Sequence, residues 1–267
     1  MARPESIAVG GYYPFPPHLI ADVAALIGVE AFTKGTGTAA FVDPCAGEGA
    51  AIIGLVQALF PPKVLTAYHS AAPKIEVYAC EMEATRHATL KHAASTALRW
   101  NTGDHCLHGD MFRVAAEYRD AYGTVHHGAT VLWHNPPYDP DPVHGRLEQR
   151  FLARAHTFQQ GGGVLVHIVP HYALGASAEL LAREYEQVTC VRLPDPDFAV
   201  FKQVALLAVK RSHPLTLDVT DHPTATLVRS WSHDATIIPV LPKAGGPGRM
   251  GNDDEPVGQQ RHAENSQ

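Results

Sequence analysis

Short apolar runs alternate with amphipathic stretches along the first 210 residues of the chain. The apolar runs that predict buried strands lie at 39–42, 75–80, 106–108, 129–133, 163–169, 188–193 and 204–209. Stretches in which apolar residues recur at helical spacing lie at 18–29, 50–60, 83–99 and 151–158. Because strands alternate with helices, the pattern predicts an α/β fold: a mostly parallel seven-stranded sheet with helices on both faces. The last two strands are close in sequence, so an antiparallel strand is expected at one edge.

The pattern divides the chain into three parts. Residues 1–210 form the predicted α/β domain, and 211–242 form a C-terminal extension with weak strand signals at 226–228 and 237–241. Residues 243–267 are rich in glycine, proline and polar residues, which predicts a disordered tail.

Composition and charge exclude several classes of protein. Hydrophobic residues make up 45% of the 267 residues, which is enough for a core and excludes a fully disordered chain. The net charge of −6 argues against a strongly basic nucleic-acid coat protein. No apolar run is long enough to cross a membrane, and neither the cysteines nor the 17 histidines show metal-ligand spacing. We therefore expect a cytoplasmic protein with no metal and no membrane partner.

Polar residues stand where four of the predicted strands end. Asp43, Glu81, Asp110 and Asn135 each follow an apolar run. In a parallel sheet these carboxyl ends meet at one edge, and ligands of such folds bind there. The sequence therefore predicts a single site built from these four side chains.

The first of these strand ends opens the glycine-bearing loop 43–49, with the sequence DPCAGEG. Glycines allow a sharp turn and a close approach of ligand to backbone, and the following helix offers unpaired N–H groups. A tight βα turn without a ligand is the alternative. The third glycine of the dinucleotide fingerprint is missing, which disfavours NAD.

The next two strand ends carry carboxylates. Glu81 could accept hydrogen bonds from the hydroxyls of a ribose, and Asp110 from an adenine amino group. The alternatives are an exposed strand-end acid and an ordinary Gly-Asp turn.

The most specific signal is the tetrapeptide Asn135-Pro136-Pro137-Tyr138 directly after a strand. The prolines fix the backbone and remove two N–H donors. The Asn135 amide oxygen and the Pro136 carbonyl can then both accept hydrogen bonds from one amino group, while Tyr138 offers a flat face to a planar substrate. Such a site holds an amino nitrogen attached to a π system.

Together these motifs resemble the class I S-adenosylmethionine-dependent methyltransferases, and among them the amino-methyltransferases that modify adenine N6. The resemblance implies the Rossmann-like α/β fold of that class. The segment 11–17, GYYPFPP, is similar to a cofactor motif of DNA adenine methyltransferases, with Phe15 where a threonine is common. The resemblance covers about 10–210. It includes the stretches 146–152 and 201–204, which occur in a small group of NPPY proteins of plasmids and phage-like elements.

The resemblance implies a cofactor, S-adenosylmethionine, and a set of residues that bind it. These residues are Tyr13, Pro14, Asp43, Pro44, Cys45, Ala46, Gly47, Gly49, Glu81, Asp110 and Asn135. It also implies that Asn135, Pro136, Pro137 and Tyr138 carry the transfer to a DNA adenine that has flipped out of the helix and stacks on Tyr138.

Further substrate contacts are less specific. Arg146 and Arg150 lie four residues apart beyond the tetrapeptide, and either contact phosphate or form a solvated helix face. Phe198 and Phe201 either line the base pocket or pack in the core. Only about 57 residues follow the predicted domain, too few for a full recognition domain. Target specificity is therefore expected to be low, or to be supplied by a protein partner or by the loops 61–74 and 171–200. RNA adenine, cytosine N4, a protein glutamine, a silent cofactor-binding subunit and a Rossmann oxidoreductase are the alternatives.

Overall fold

The computed structural model describes residues 13–28, 38–60, 74–98, 105–115, 117–119, 125–141 and 145–245. In these residues all seven predicted strands are present and form one sheet. The strands are β1 Thr38–Asp43, β2 Lys74–Glu81, β3 Cys106–His108, β6 Ala129–His134, β9 Gln159–Pro170, β10 Tyr185–Arg192 and β11 Gln203–Lys210. Two short hairpins, β4 Glu117–Arg119 with β5 Val125–His127 and β7 Pro140–Asp141 with β8 Gly145–Arg146, lie outside this sheet.

The strand order in the sheet is β10-β11-β9-β6-β1-β2-β3. Strands β3, β2, β1, β6 and β9 run parallel to one another, whereas β11 runs antiparallel to both β9 and β10. The predicted α/β fold with an antiparallel pair at one edge is therefore confirmed. The reversed strand, β11, is the second from the edge.

Helices cover both faces of the sheet. They are α1 Ile20–Ala24, α2 Ala50–Leu59, α3 Ala84–Leu98, α4 Leu147–Ala155, α5 Ala178–Glu184, α6 Asp197–Phe201 and α7 Pro223–His233. Strand β6 shows how the two layers arise: Val131 and Trp133 pack with α1, α2 and α3, while Leu132 packs with α4, α5 and α7. Successive side chains of a strand point to opposite faces, so a strand buried on both faces has a continuous apolar sequence.

The C-terminal extension is helical where the sequence predicted a strand. Residues 226–228 lie inside α7, which begins at Pro223 with the His222 ring accepting a hydrogen bond from the Thr224 amide. Ala225, Val228 and Trp231 are its buried residues, three apart, so the correct signal was a helical period. The second predicted strand, 237–241, is represented by one bridge between Val240 and Arg192. Most of the predicted tail, 246–267, lies outside the described residues.

The topology places the candidate site. Asp43, Glu81 and Asn135 end or directly follow β1, β2 and β6, which are parallel and lie in the order β6-β1-β2. Asp110 follows β3, the next strand beyond β2. All four side chains therefore stand at the same edge of the sheet, as predicted.

Candidate active site

The loop after β1 folds as a tight turn that requires its glycines. Gly47 and Gly49 have positive φ angles of 55° and 85°. A Cβ atom at Gly49 would lie 2.5 Å from Leu90 Cδ1 of α3, so this glycine also allows α3 to pack against the start of α2. The Ala46 amide donates to the Cys80 carbonyl at 2.9 Å, which ties the turn to the neighbouring strand β2.

Asp43 supports this turn from a buried position. Its side chain is 2% exposed, and Oδ1 accepts a hydrogen bond from the Cys45 amide at 3.0 Å. Burial raises the pKa of Asp43 to about 8, the Cys45 hydrogen bond opposes the rise, and the Glu81 charge adds to it. The side chain is therefore mostly protonated at neutral pH, and its main contact is with the loop itself.

Glu81 connects the loop to the next helix. Its Oε2 accepts from the Gly47 amide at 2.9 Å, and its Oε1 accepts from the Glu83 amide at 2.8 Å and from the Arg86 guanidinium at 3.0 and 3.2 Å. Oε1 thus has three donors, whereas Oε2 has one among the described residues. Oε2 is therefore the carboxylate oxygen with the greater capacity left to accept a further hydrogen bond, and the prediction that Glu81 binds both hydroxyls of a ribose stays a prediction.

Asp110 and its neighbours complete a cleft beside the carboxyl ends of these strands. The Asp110 Oδ1 atom accepts a hydrogen bond from the Phe112 amide at 3.0 Å and so caps a short 3₁₀ helix. This is the structural role expected if Asp110 belongs to an ordinary Gly-Asp turn. The cleft brings together six of the predicted cofactor residues: Tyr13, Pro44, Cys45, Glu81, Asp110 and Asn135. Asp43, Ala46, Gly47 and Gly49 are not among its lining residues and shape the turn instead, and Pro14 is exposed away from the lining.

Sequence reasoning missed several lining residues. Met82, Met111, Phe151 and Arg86 also face the cleft. Met82 is 70% exposed although it directly follows a buried strand, and an exposed methionine beside a strand-end acid was a usable signal. Together with Pro44, these apolar side chains can enclose a flat ring, while Glu81 and Asp110 can accept from hydroxyl or amino groups.

Asn135 forms hydrogen bonds to both Tyr13 and Tyr138. Its Nδ2 donates to the Tyr13 carbonyl at 2.8 Å, and its Oδ1 accepts from the Tyr138 hydroxyl at 2.6 Å. Pro136 and Pro137 line the same cleft. Among the described residues no donor contacts the Pro136 carbonyl oxygen. One carbonyl and the second lone pair of the Asn135 amide oxygen are therefore left to accept from an amino group.

Tyr138 is buried rather than open to a ligand. It is 5% exposed, and burial raises the pKa of its hydroxyl well above the usual value. The Tyr13 ring covers one face of Tyr138, with centroids 4.8 Å apart and planes 7° apart. Phe201 meets Tyr13 edge-on at 5.2 Å. The face on which a planar substrate was expected to stack is thus occupied by Tyr13.

The other predicted substrate residues lie at the start of α4 or within it and in α6, the helices that follow β6 and β10 in the sequence. Arg146 forms an ion pair with the buried Glu148 and lies 5.2 Å from the centroid of the Tyr172 ring. Arg150 is exposed and lies 4.7 Å from the Phe112 ring centroid. Phe198 is half-buried, with the Lys202 and Arg192 cations 5.1 and 5.3 Å from its ring centroid. Phosphate and base contacts by these residues remain predictions.

A buried histidine pair lies directly behind Asn135. The Nδ1 atoms of His134 and His167, on neighbouring strands β6 and β9, are 2.8 Å apart and both rings are inaccessible. Burial lowers the pKa of His167 to about 4 and that of His134 well below its usual value. Both rings are therefore neutral near pH 7, with one Nδ1 donating to the other.

Within the described residues no group of three or more His, Cys, Asp or Glu side chains could hold a metal ion. No helix in the described part of the chain is long and apolar enough to span a membrane.

Comparisons with known proteins concern the sequence family and the fold. Residues 121–246 match the sequence family described as "Uncharacterised methyltransferase family (DUF6094)". No curated protein sequence is significantly similar to the chain.

Several solved structures share the fold. A candidate class I S-adenosylmethionine-dependent methyltransferase from Listeria monocytogenes is 14% identical, with a TM-score of 0.55 over 84% of this chain and 73% of its own. The M protein of the type I restriction enzyme EcoKI is 16% identical, with a TM-score of 0.53 over 76% of this chain and 45% of its own. The type IIG restriction endonuclease BpuSI is 14% identical, with a TM-score of 0.52 over 83% of this chain and 29% of its own. The chain thus spans less than half of either restriction protein.

The fold is therefore that of the class I S-adenosylmethionine-dependent methyltransferases, as the sequence resemblance implied. Across 121–246 the chain also has the sequence pattern of a methyltransferase family. The cofactor of this class is S-adenosylmethionine. The cleft fits that group, because it combines apolar side chains for a flat ring with two carboxylates for hydroxyl and amino groups.

Proposed function

We propose that this protein transfers a methyl group to the exocyclic N6 amine of adenine in DNA. The observation that supports this most directly is the position of Asn135. It lines the same cleft as Glu81 and Asp110, so an amine accepted by Asn135 would meet a cofactor held by those carboxylates.

When bound, S-adenosylmethionine supplies a methyl group activated by a sulfonium. The protein's contribution is alignment, which in favourable systems is worth up to about 7–11 kcal/mol of the barrier. The Asn135 amide oxygen and the Pro136 carbonyl accept from the amine, which orients its lone pair and stabilises the positive charge that develops on nitrogen. No strong general base is required, because the methylated nitrogen is acidic and releases its proton readily.

A planar substrate requires room beside Tyr138. In our proposal the base takes the position of the Tyr13 ring, which stacks on Tyr138 and meets Phe201 edge-on, and Tyr13 moves aside. Tyr13 is half-buried, and its carbonyl can stay on Asn135 while its ring rotates. Flipping a base from a duplex costs a few kcal/mol, which stacking offsets in part.

DNA is favoured over the other amino substrates by the resemblance of 11–17 to a motif of DNA adenine methyltransferases. The fold is also shared with a restriction enzyme's M protein. Because that M protein is one component of a type I restriction enzyme, we propose that a partner contributes to target recognition here as well. The proposed organisation is a methyltransferase domain over 1–210, an extension over 211–242 and a tail over 243–267, in a cytoplasmic protein.

Labelled methyl transfer tests the proposal. The protein is incubated with labelled S-adenosylmethionine and, in parallel, with unmethylated DNA, RNA and a protein lysate, and Asn135→Ala serves as the control. We expect label in DNA that Asn135→Ala abolishes while cofactor affinity measured by calorimetry stays within about threefold. Label found only in RNA or protein would show that DNA is not the substrate. Loss of cofactor binding in Asn135→Ala would contradict the role assigned to Asn135 in methyl transfer.

A further inference from the structure

Gln203 is a fully buried amide that the proposed chemistry does not use. It begins β11, 65 residues after Tyr138, and is 0% exposed. Its Nε2 donates to the Tyr138 hydroxyl oxygen at 3.0 Å, while its Oε1 is buried without a partner among the described residues. Burying an amide with half of its hydrogen-bonding capacity unused carries a free-energy cost. The hydrogen bond to the Tyr138 hydroxyl is therefore the contact through which this amide can act.

This contact directs the single proton of the Tyr138 hydroxyl. The oxygen accepts from Gln203, so its own proton must point elsewhere. Two acceptors are within reach: Asn135 Oδ1 at 2.6 Å and the Ile168 carbonyl at 3.1 Å. The shorter contact directs the proton to Asn135.

The proton in turn fixes the orientation of the Asn135 amide. With Tyr138 donating to Oδ1, the Nδ2 group faces the Tyr13 carbonyl at 2.8 Å. A flipped amide would place Oδ1 against that carbonyl and Nδ2 against the Tyr138 hydroxyl, which removes both bonds as they stand. The flip would also present donors, instead of an acceptor, to an incoming amine.

We propose that Gln203 is a positioning residue for methyl transfer, and that it acts through the Tyr138 hydroxyl to hold the Asn135 amide oxygen toward the substrate. This inference rests on the proposed function. It adds a hydrogen-bonded chain that runs from Gln203 through Tyr138 and Asn135 to the Tyr13 carbonyl.

A double-mutant cycle at Gln203 and Tyr138, measured on methyl transfer, tests this hydrogen-bonded chain. Gln203→Met keeps the length of the side chain and removes its amide, and Tyr138→Phe removes the hydroxyl. We expect each single variant to lower kcat about fivefold to tenfold, with KM for DNA and the cofactor Kd within about twofold. In the Tyr138→Phe background, Gln203→Met should lower kcat no further.

Two outcomes of the cycle would overturn the proposal. One is an unchanged kcat in Gln203→Met, and the other is an equal loss in both backgrounds, which would show that Gln203 does not act through the hydroxyl. The unfolding free energy separates a structural role: Gln203→Met removes an unpartnered acceptor, so we expect its stability to be unchanged or higher while kcat falls.

A readout independent of activity keeps this proposal distinct from the proposed function. Nuclear magnetic resonance of the Asn135 side-chain NH₂ group, assigned by its loss in Asn135→Asp, reports how firmly the amide is held. We expect its hydrogen exchange to accelerate at least about fivefold in both Gln203→Met and Tyr138→Phe. If hydrogen exchange accelerates in both variants but the protein transfers no methyl group, the hydrogen-bonded chain from Gln203 to Asn135 is supported and the proposed function is rejected. Unchanged hydrogen exchange in Gln203→Met would show that Gln203 does not hold the Asn135 amide through this hydrogen-bonded chain.

Discussion

The Tyr13 ring lies parallel to the Tyr138 ring, with centroids 4.8 Å apart and planes 7° apart. This is the geometry in which a nucleobase would stack on Tyr138. The same Tyr13 offers its backbone carbonyl to Asn135 at 2.8 Å. One residue thus covers the expected substrate face through its side chain and orients the expected amine acceptor through its backbone.

Replacing the Tyr13 ring should open the substrate face. In Tyr13→Ala the carbonyl remains for Asn135, so we expect KM for DNA to fall severalfold, because the base no longer competes with a ring already in place. Tyr13→Phe keeps the ring and should leave KM unchanged. Steady-state kinetics check this, and a rise in KM in Tyr13→Ala would mean that the ring contacts the substrate or the cofactor.

Gly49 should tolerate no side chain. A Cβ atom there would lie 2.5 Å from Leu90 Cδ1, and φ is +85°. We expect Gly49→Ala to lower the unfolding free energy by about 1–3 kcal/mol. Gly109→Ala is the matched control, since a Cβ atom at Gly109 meets nothing within 4 Å. Denaturant unfolding measures the unfolding free energies of the two variants. Equal unfolding free energies would contradict the packing described for this turn.

The buried histidine pair should make the fold sensitive to acid. The pKa of His167 is lowered to about 4 and that of His134 is lowered as well, so between about pH 6.5 and pH 4 the unfolded chain binds protons that the folded chain does not. Stability should therefore fall as pH falls through this window, by up to about 1.4 kcal/mol per pH unit for each histidine. The raised pKa of Asp43 acts in the opposite sense, because the folded state keeps that proton up to about pH 8.

A variant isolates the histidine contribution. His167→Gln removes one titrating ring and leaves Asp43 in place, so its unfolding free energy should depend less steeply on pH between 6.5 and 4.5 than that of the natural protein. Denaturant titrations at four pH values measure both slopes. Equal slopes would show that His167 does not stay neutral in the folded state.

Arg146 should matter for stability before it matters for substrate binding. Its partner Glu148 is 1% exposed in its side chain, so Arg146→Ala leaves a buried carboxylate without its cation. We expect a loss of about 3 kcal/mol in the unfolding free energy, most of it recovered in the double variant Arg146→Met with Glu148→Leu. If Arg146 instead binds phosphate, Arg146→Ala would retain its stability and reduce the salt dependence of DNA binding.

The strands, and the position of the site at the carboxyl ends of the parallel strands, could be predicted from the sequence because both depend on local pattern. Runs such as 129–133 are apolar on both faces, and Asp43, Glu81, Asp110 and Asn135 follow their strands directly. Contacts between distant residues were out of reach: nothing local relates Gln203 to Tyr138, or Tyr13 to Asn135, 122 residues away. The segment 226–228 shows a different failure, because three consecutive residues fit a strand and conceal the helical spacing of Ala225, Val228 and Trp231.

The most direct test of the proposed function is to identify the methylated nucleoside. DNA from a strain without adenine methylation is incubated with the protein and S-adenosylmethionine, digested to nucleosides and separated by chromatography with mass detection. We predict N6-methyldeoxyadenosine with the natural protein and none with Asn135→Ala. A methyl group found on cytosine N4, or no methylated nucleoside while labelled methyl enters RNA or protein, would contradict the proposal.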